Sequence, residues 1–225
     1  MREFGVILLV LLSCVPCFSF EIAVGIGAAP AYYMEQFTYR ENFIFNQWYR
    51  DGYPLTFKAF VDLTYLQVEA GYRILNGGQR GSPGAFLSIF AYGDEPEPVA
   101  ESWSYLPLGA YLKYPFDLGI VAIIPFFGGE YDINLTWVDA DGNDLKASLS
   151  DREKSDMDEV WIKGGLGVDI EIFGGFSLLP WVSIAGKLLN ATDQARLEEI
   201  KEATSPELDM SHGLPECGIF IRYKF

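Results

Sequence analysis

Gly218-Ile-Phe-Ile-Arg-Tyr-Lys-Phe225, GIFIRYKF, is the stretch on which the fold turns. Successive side chains of an extended backbone point to opposite faces, so Ile219, Ile221, Tyr223 and Phe225 share one face and Phe220, Arg222 and Lys224 the other. Chain ends are ordinarily polar and frayed. One that finishes on a patterned strand with a terminal aromatic calls for a neighbouring strand of the same rhythm.

That rhythm runs back through the chain. Phe20 to about Tyr33 sets Ile22, Val24, Ile26 and Ala28 against Glu21, Ala23, Gly25 and Gly27. Comparable period-two segments span Pro54 to Leu63, Gln67 to Ile74, Trp103 to Tyr114, a fifth that ends near Trp137, Val160 to Ile172, and Phe176 to Leu189. All are rich in Val, Ile, Tyr, Phe and Gly, the composition of strands. With the terminal stretch they predict eight strands. The connections alternate: short turns near Thr64, Pro115-Phe116-Asp117 and Gly174-Gly175, then long segments at Met34 to Tyr53, Asn76 to Ser102, Val138 to Glu159 and Asn190 to His212. Short turns at one end and long loops at the other are the plan of a bacterial outer-membrane barrel. Gly84 to Tyr92, GAFLSIFAY, is read as an extension inside the second long loop, since a ninth strand would make the count odd.

Charge follows the same division. The long loops hold most of the formal charge of −15. The polar strand faces carry seven acids, Glu21, Asp62, Glu69, Glu130, Asp132, Asp169 and Glu171, and seven bases, Lys58, Arg73, Lys113, Lys163, Lys187, Arg222 and Lys224. Equal numbers suit a narrow enclosed lumen, and predict a charge network inside the barrel.

Alternation alone does not say which face looks inward. A soluble lipocalin-like carrier would put its apolar face inside; a membrane barrel puts it outside. The polar faces are rich in Gly and Ala, as a crowded lumen requires. Aromatics gather where strands meet loops, at Tyr32, Tyr33, Tyr53, Trp103, Tyr114, Phe116, Trp137, Trp161 and Phe173, as in girdles at two membrane interfaces. Apolar-out is therefore the expectation. On these residues the chain resembles the small outer-membrane barrels of the OmpA, OmpX and OmpW kind, and LGAYLKYPFDLG and PFFGGEYD resemble phrases of spirochaetal members. The resemblance implies an integral outer-membrane protein, with outer-membrane lipid around it and Tyr223 and Phe225 as the signal read by the barrel assembly machinery.

At 225 residues, with 50% hydrophobic and 16% aromatic residues, general disorder is excluded. The acidic balance argues against a nucleic-acid partner, which needs clustered Lys and Arg. Residues 1–19 read as a cleaved signal peptide, with the barrel over residues 20–225; lipoprotein processing at Cys14 is the alternative. After the cut only Cys217 remains, so neither a disulfide framework nor a cysteine metal site is expected.

Chemistry is sparse. Ser211-His212 holds the single histidine, but adjacent residues project apart, and no catalytic site, cofactor or metal is expected. Asp139, Asp141, Asn143 and Asp144 suggest a calcium loop, yet Asp144 and Ser150 stand where an EF-type loop needs Gly and a bidentate acid. The first long loop carries nine aromatics between Tyr32 and Tyr53. They cover the barrel mouth or bind a host ligand. In the fourth, Thr192 is expected to cap a short helix through Ala203, with Leu197 and Ile200 on one side. The functional expectation is a closed, non-enzymatic barrel that displays acidic loops, with an OmpW-like channel for small apolar solutes as the alternative and a lipid-modifying enzyme as a minor one.

Overall fold

The computed structural model describes residues 21–39, 47–81, 97–203 and 208–225. The signal segment, Cys14 and Gly84 to Tyr92 lie outside the described residues. Strands β1 (Ala23–Pro30), β2 (Tyr33–Tyr39), β3 (Gln47–Gly52), β4 (Leu55–Leu63), β5 (Leu66–Gly81), β6 (Glu97–Lys113), β7 (Phe116–Asp117), β8 (Val121–Val138), β9 (Glu159–Phe173), β10 (Phe176–Leu188) and β11 (Leu208–Lys224) form one sheet. β1 prolonged by β2 makes the first stave and β3 prolonged by β4 the second; β5, β6, β8, β9, β10 and β11 are the other six. Each pairs antiparallel with the next, and β11 returns to β1 and β2, so the molecule is a closed eight-stranded antiparallel barrel.

Closure explains the ordered terminus. Tyr223 stands opposite Val24 on one side and Phe176 on the other. The Phe225 N–H donates to Ile22 O at 3.0 Å, and that of Lys224 to Gly175 O at 2.9 Å. From Ile219 to Tyr223 the last strand is paired on both sides, so this end has no free edge along which to fray. The first two staves break together at Pro30 and Pro54, which lack the N–H a ladder needs. Ala31 N–H bonds Pro54 O and Tyr32 N–H bonds Pro215 O, each at 2.9 Å, so the wall stays sealed across the break.

The short turns fall at one end. Thr64 adopts a left-handed φ of 64°. Its hydroxyl accepts from the Glu21 N–H at 2.9 Å and donates to Glu21 O at 3.1 Å, which pins the start of the barrel to the first turn. Gly174 and Gly175, at φ 53° and 84°, make the third tight turn.

Burial decides the orientation of the faces. Ile26 and Ile184 are 65% and 66% exposed on the outside, whereas Asp132 and Lys163 are fully buried within. Apolar-out, polar-in is therefore the arrangement, and the lipocalin-like alternative is excluded.

The strands outrun the expected ones. Met34 to Tyr53 is largely a pair of strands rather than a loop: β2 and β3 pair with each other and with β11 and β5. β5 continues to Gly81, β6 begins at Glu97 and β11 at Leu208. Ladder hydrogen bonds need only a neighbouring backbone, so they continue past the zone where one face must be apolar. Between β8 and β9 lie a short 3₁₀ turn (Lys146–Ser148) and helix α1 (Asp151–Ser155), whose Ser150 and Glu153 form a capping box. Helix α2 (Ala191–Ala203) follows β10. Its cap is Asn190, not the expected Thr192: the Asn190 side-chain oxygen accepts from Asp193 N–H at 2.8 Å, and the Asp193 carboxylate accepts from Asn190 N–H at 3.1 Å. Leu197 is buried, as its side of the helix predicts.

Candidate functional site

The lumen is stacked in layers, set by which inward positions of the eight staves are charged, aromatic or small. At the short-turn end, Lys113 and Arg222 both reach Asp62, Arg222 at 2.8 Å. Arg222 also meets Asp169 and Glu21, at 2.5 and 3.0 Å, and Lys224 meets Asp169 at 3.0 Å. Three bases and three acids balance in this layer.

Above it lies an apolar plug. Phe60, Phe220, Trp181, Leu179 and Ile124 pack across the lumen, with Phe126 at its margin. Trp181 stacks on Phe220 at 5.5 Å and 8°, and Phe60 meets Phe220 edge-on at 4.9 Å. Glycines make room for these rings. A Cβ on Gly25 would fall 2.3 Å from the Phe60 ring, and one on Gly165 2.4 Å from the Phe126 ring, so the ring on one stave lies against the bare backbone of the next.

The central layer is ionic again. Glu130 accepts from Lys163 at 2.7 Å, Arg73 at 2.6 Å, Lys58 at 3.1 Å and the Tyr111 hydroxyl at 2.9 Å. Glu216 meets the same three cations, at 2.5, 3.0 and 3.5 Å respectively. Arg73 also binds Asp132, and Lys58 binds Glu69 at 2.8 Å. Every member is buried. Burying these charges is favourable only because Glu130, Glu216, Arg73, Lys58 and Lys163 each find several partners; removing one leaves the rest stranded. Between plug and central layer a void of ≈ 20 Å³ remains, room for about one water. An eight-stranded lumen is just wide enough for side chains to fill, and these fill it.

Toward the long-loop end the contents change. Tyr33, Leu75, Trp103, Tyr105 and Trp137 line a cavity of ≈ 370 Å³ together with Met157 and Leu149 from the segment that carries α1. Lys187 pairs there with Glu159 at 3.2 Å and Asp193 at 2.9 Å. His212 lies 3.9 Å from Glu35 and 6.1 Å from the Tyr33 ring.

Of the fourteen strand charges read from the sequence, ten are buried in the two ionic layers. Glu21 and Lys224 sit at the lower rim, partly exposed. Glu171 is exposed at the short-turn end and belongs to neither layer, and Lys187 stands apart in the upper cavity. Glu216 is the central residue that sequence reading missed. It shares the parity of Gly218, Phe220 and Arg222, so carrying the terminal strand back two residues would have found it. Glu35 and Glu159 were missed as strand residues taken for loop. Four expected girdle aromatics are corrected: Trp103 and Trp161, 7% and 1% exposed, point into the lumen with the parity of Tyr105 and Lys163, and Tyr33 and Trp137 line the upper cavity. Tyr53, Tyr114, Phe116 and Phe173 do stand exposed at the rims. Tyr223 and Phe225 join Phe173 and Phe176 in a row of rings spaced 4.8 to 5.7 Å.

Ser211 and His212 lie within β11, not at a loop edge, and face opposite ways: Ser211 is exposed and His212 buried. In the Asp139 loop, the Asp139 carboxylate accepts from the backbone N–H groups of Asp141 and Asn143 and from the Asn143 side chain, each at 2.9 Å. These bonds, the Asn143 side chain first, hold its carboxyl below the usual aspartate range.

No family model matches the chain, and no curated protein matches it. Among solved structures, it is similar to Neisserial surface protein A (NspA), at 14% identity and a TM-score of 0.44 over 91% of this chain and 97% of that one. It is also similar to Ail, the attachment invasion locus protein of Yersinia pestis, at 11% identity and a TM-score of 0.37 over 92% and 100% of the two chains. A de novo designed transmembrane β-barrel gives 11% identity and a TM-score of 0.32 over 88% and 95%.

Proposed function

We propose that this chain is an integral outer-membrane β-barrel that is closed to solutes, is not an enzyme, and acts through the surface it presents at its long-loop end. The observation that carries the reading is the inversion of the faces: an exposed apolar wall surrounds a lumen packed with ion pairs and aromatic rings. Only an apolar medium rewards such a wall, and backbone pairing without a free edge is the condition for crossing one with strands. The filled lumen supports a structural or interaction role over an OmpW-like channel. Host molecules are the partners such a surface would meet. The separation of Ser211 from His212 weighs against hydrolytic chemistry. The finer kinship with spirochaetal OmpW-like barrels rests on LGAYLKYPFDLG and PFFGGEYD, the second of which supplies Glu130 and Asp132 to the central layer.

Single-channel recording of the purified protein in planar bilayers tests the closed lumen. No reproducible open state is expected; unitary steps in most insertions would revive the channel. In the same reading Tyr223 and Phe225 serve as the assembly signal. Deleting Phe225 removes the last ladder bond and the end of the ring row, and outer-membrane levels should fall several-fold. Normal levels on quantitative immunoblots would count against that role.

A further inference from the structure

The outer wall is not evenly convex. On four neighbouring staves the outward positions are small: Ala59 stands opposite Ala70 across β4 and β5, and Ala110 opposite Gly129 across β6 and β8. Val68, Leu108 and Val160 rise around them, and the groove so formed has a volume of ≈ 720 Å³ and an apolar lining. Tyr131 marks its end toward the long loops, opposite Val160 and one residue short of the last β8–β9 pair, Asp132 with Glu159. The Tyr131 hydroxyl donates to the Asp158 carboxylate at 2.7 Å, and the Asn134 N–H donates to it at 2.9 Å. None of the ion pairs among the described residues includes Asp158, which is partly exposed.

We propose that this groove seats one acyl chain of a phospholipid from the leaflet at the long-loop end, with the headgroup ammonium against Asp158. The occupant is a lipid because the groove is continuous with the exposed apolar wall: Ile26 stands opposite Ala59 at one side and Ile162 opposite Gly129 at the other. A chain in the hollow gains contacts along its floor and both flanks, whereas on a convex wall it gains them on one side only. Tyrosine suits the headgroup level, its ring in the apolar zone and its hydroxyl in the polar one, and that places Asp158 among the headgroups. A carboxylate held there by two hydrogen bonds and no cation attracts an ammonium and repels a second net negative charge. Phosphatidylethanolamine is therefore preferred over phosphatidylglycerol. The proposal rests on the wall standing in lipid, and not on the lumen being closed.

Native mass spectrometry tests it, on the full-length protein released from non-ionic micelles that contain equal amounts of the two palmitoyl-oleoyl phospholipids. One phosphatidylethanolamine per chain is expected, retained about two- to fivefold more than phosphatidylglycerol, the range of one partly exposed charge contact. Asp158→Asn, which keeps an oxygen for Tyr131 and Asn134, should erase the preference. Asp141→Asn, an equal change of charge in the exposed loop after β8, should leave it. Ala70→Leu with Ala110→Leu fills the hollow from the lipid side and should cut retention of both lipids several-fold, with an unchanged far-UV circular dichroism spectrum. Equal retention of the two lipids, the same effect from Asp141→Asn as from Asp158→Asn, or undiminished retention by the filled groove would each overturn the proposal. So would a complex of two chains that excludes lipid. Flotation with liposomes keeps the two readings apart. A chain that floats with the vesicles yet retains neither lipid sinks the groove alone, and one that does not float sinks the membrane wall as well.

Discussion

The lower part of the lumen and the cavity above it are enclosed by the same eight staves, yet one is solid and the other open. Below, glycines opposite aromatic rings and acids opposite bases let side chains interlock across the axis. Above, bulky Trp103, Trp161 and Tyr105 stand against the wall and leave a cavity between them and the loop segment that carries α1. The difference teaches that strand number sets how wide a barrel is, while the sizes and charges of inward residues set whether it is a plug or a pocket.

The sharpest way to break the contrast is to unbalance the plug. Arg73→Leu leaves Asp132, Glu130 and Glu216 short of a shared cation in a buried site, and should cost about 3–5 kcal/mol, read by denaturant unfolding in lipid vesicles. A loss below about 1 kcal/mol would mean that water reaches the central layer. Gly165→Val probes the ring-on-glycine packing. Its Cβ would clash with the Phe126 ring and, at 2.3 Å, with Val182 O, and about 1–3 kcal/mol should be lost. The corresponding change in the upper region should be milder. Lys187→Met removes the cation between Glu159 and Asp193, but those acids border an open cavity, so about 1 kcal/mol is expected. A loss as large as that of Arg73→Leu would erase the distinction between the two regions.

The smallest effect lies outside the barrel. The Asp139 carboxyl is held below its usual range, so the ordered loop is favoured above the ordinary aspartate pKa and loses that support as pH falls through the lowered value. Amide signals of Asp141 and Asn143 should therefore shift and broaden only below about pH 4, while signals from the barrel stay in place. Broadening near neutral pH would mean that another group holds the loop.

Much of this could be read along the chain. Period-two alternation is a local property of an extended backbone, so GIFIRYKF and its seven counterparts announced strands, their number, and which residues share a face. Glu130, Lys163 and Arg73 were recognisable as one polar set from parity alone. What parity could not supply was extent and depth. His212 was read as loop and Glu216 left out of the terminal strand because the hydrophobic alternation fades before the ladder does, and Tyr33, Trp103, Trp137 and Trp161 were placed at the rims because aromatic residues near strand ends occur on both faces.

By itself, the sequence determined an eight-stranded barrel with a patterned terminal strand, because alternation, turn residues and strand count are written in neighbouring positions. Only the tertiary structure decided that Glu216 and Glu130 share three cations, and that the lumen is filled below and open above. Those outcomes depend on residues from different staves meeting across the axis, and the distance across a closed barrel is fixed by its tilt and closure rather than by any one strand.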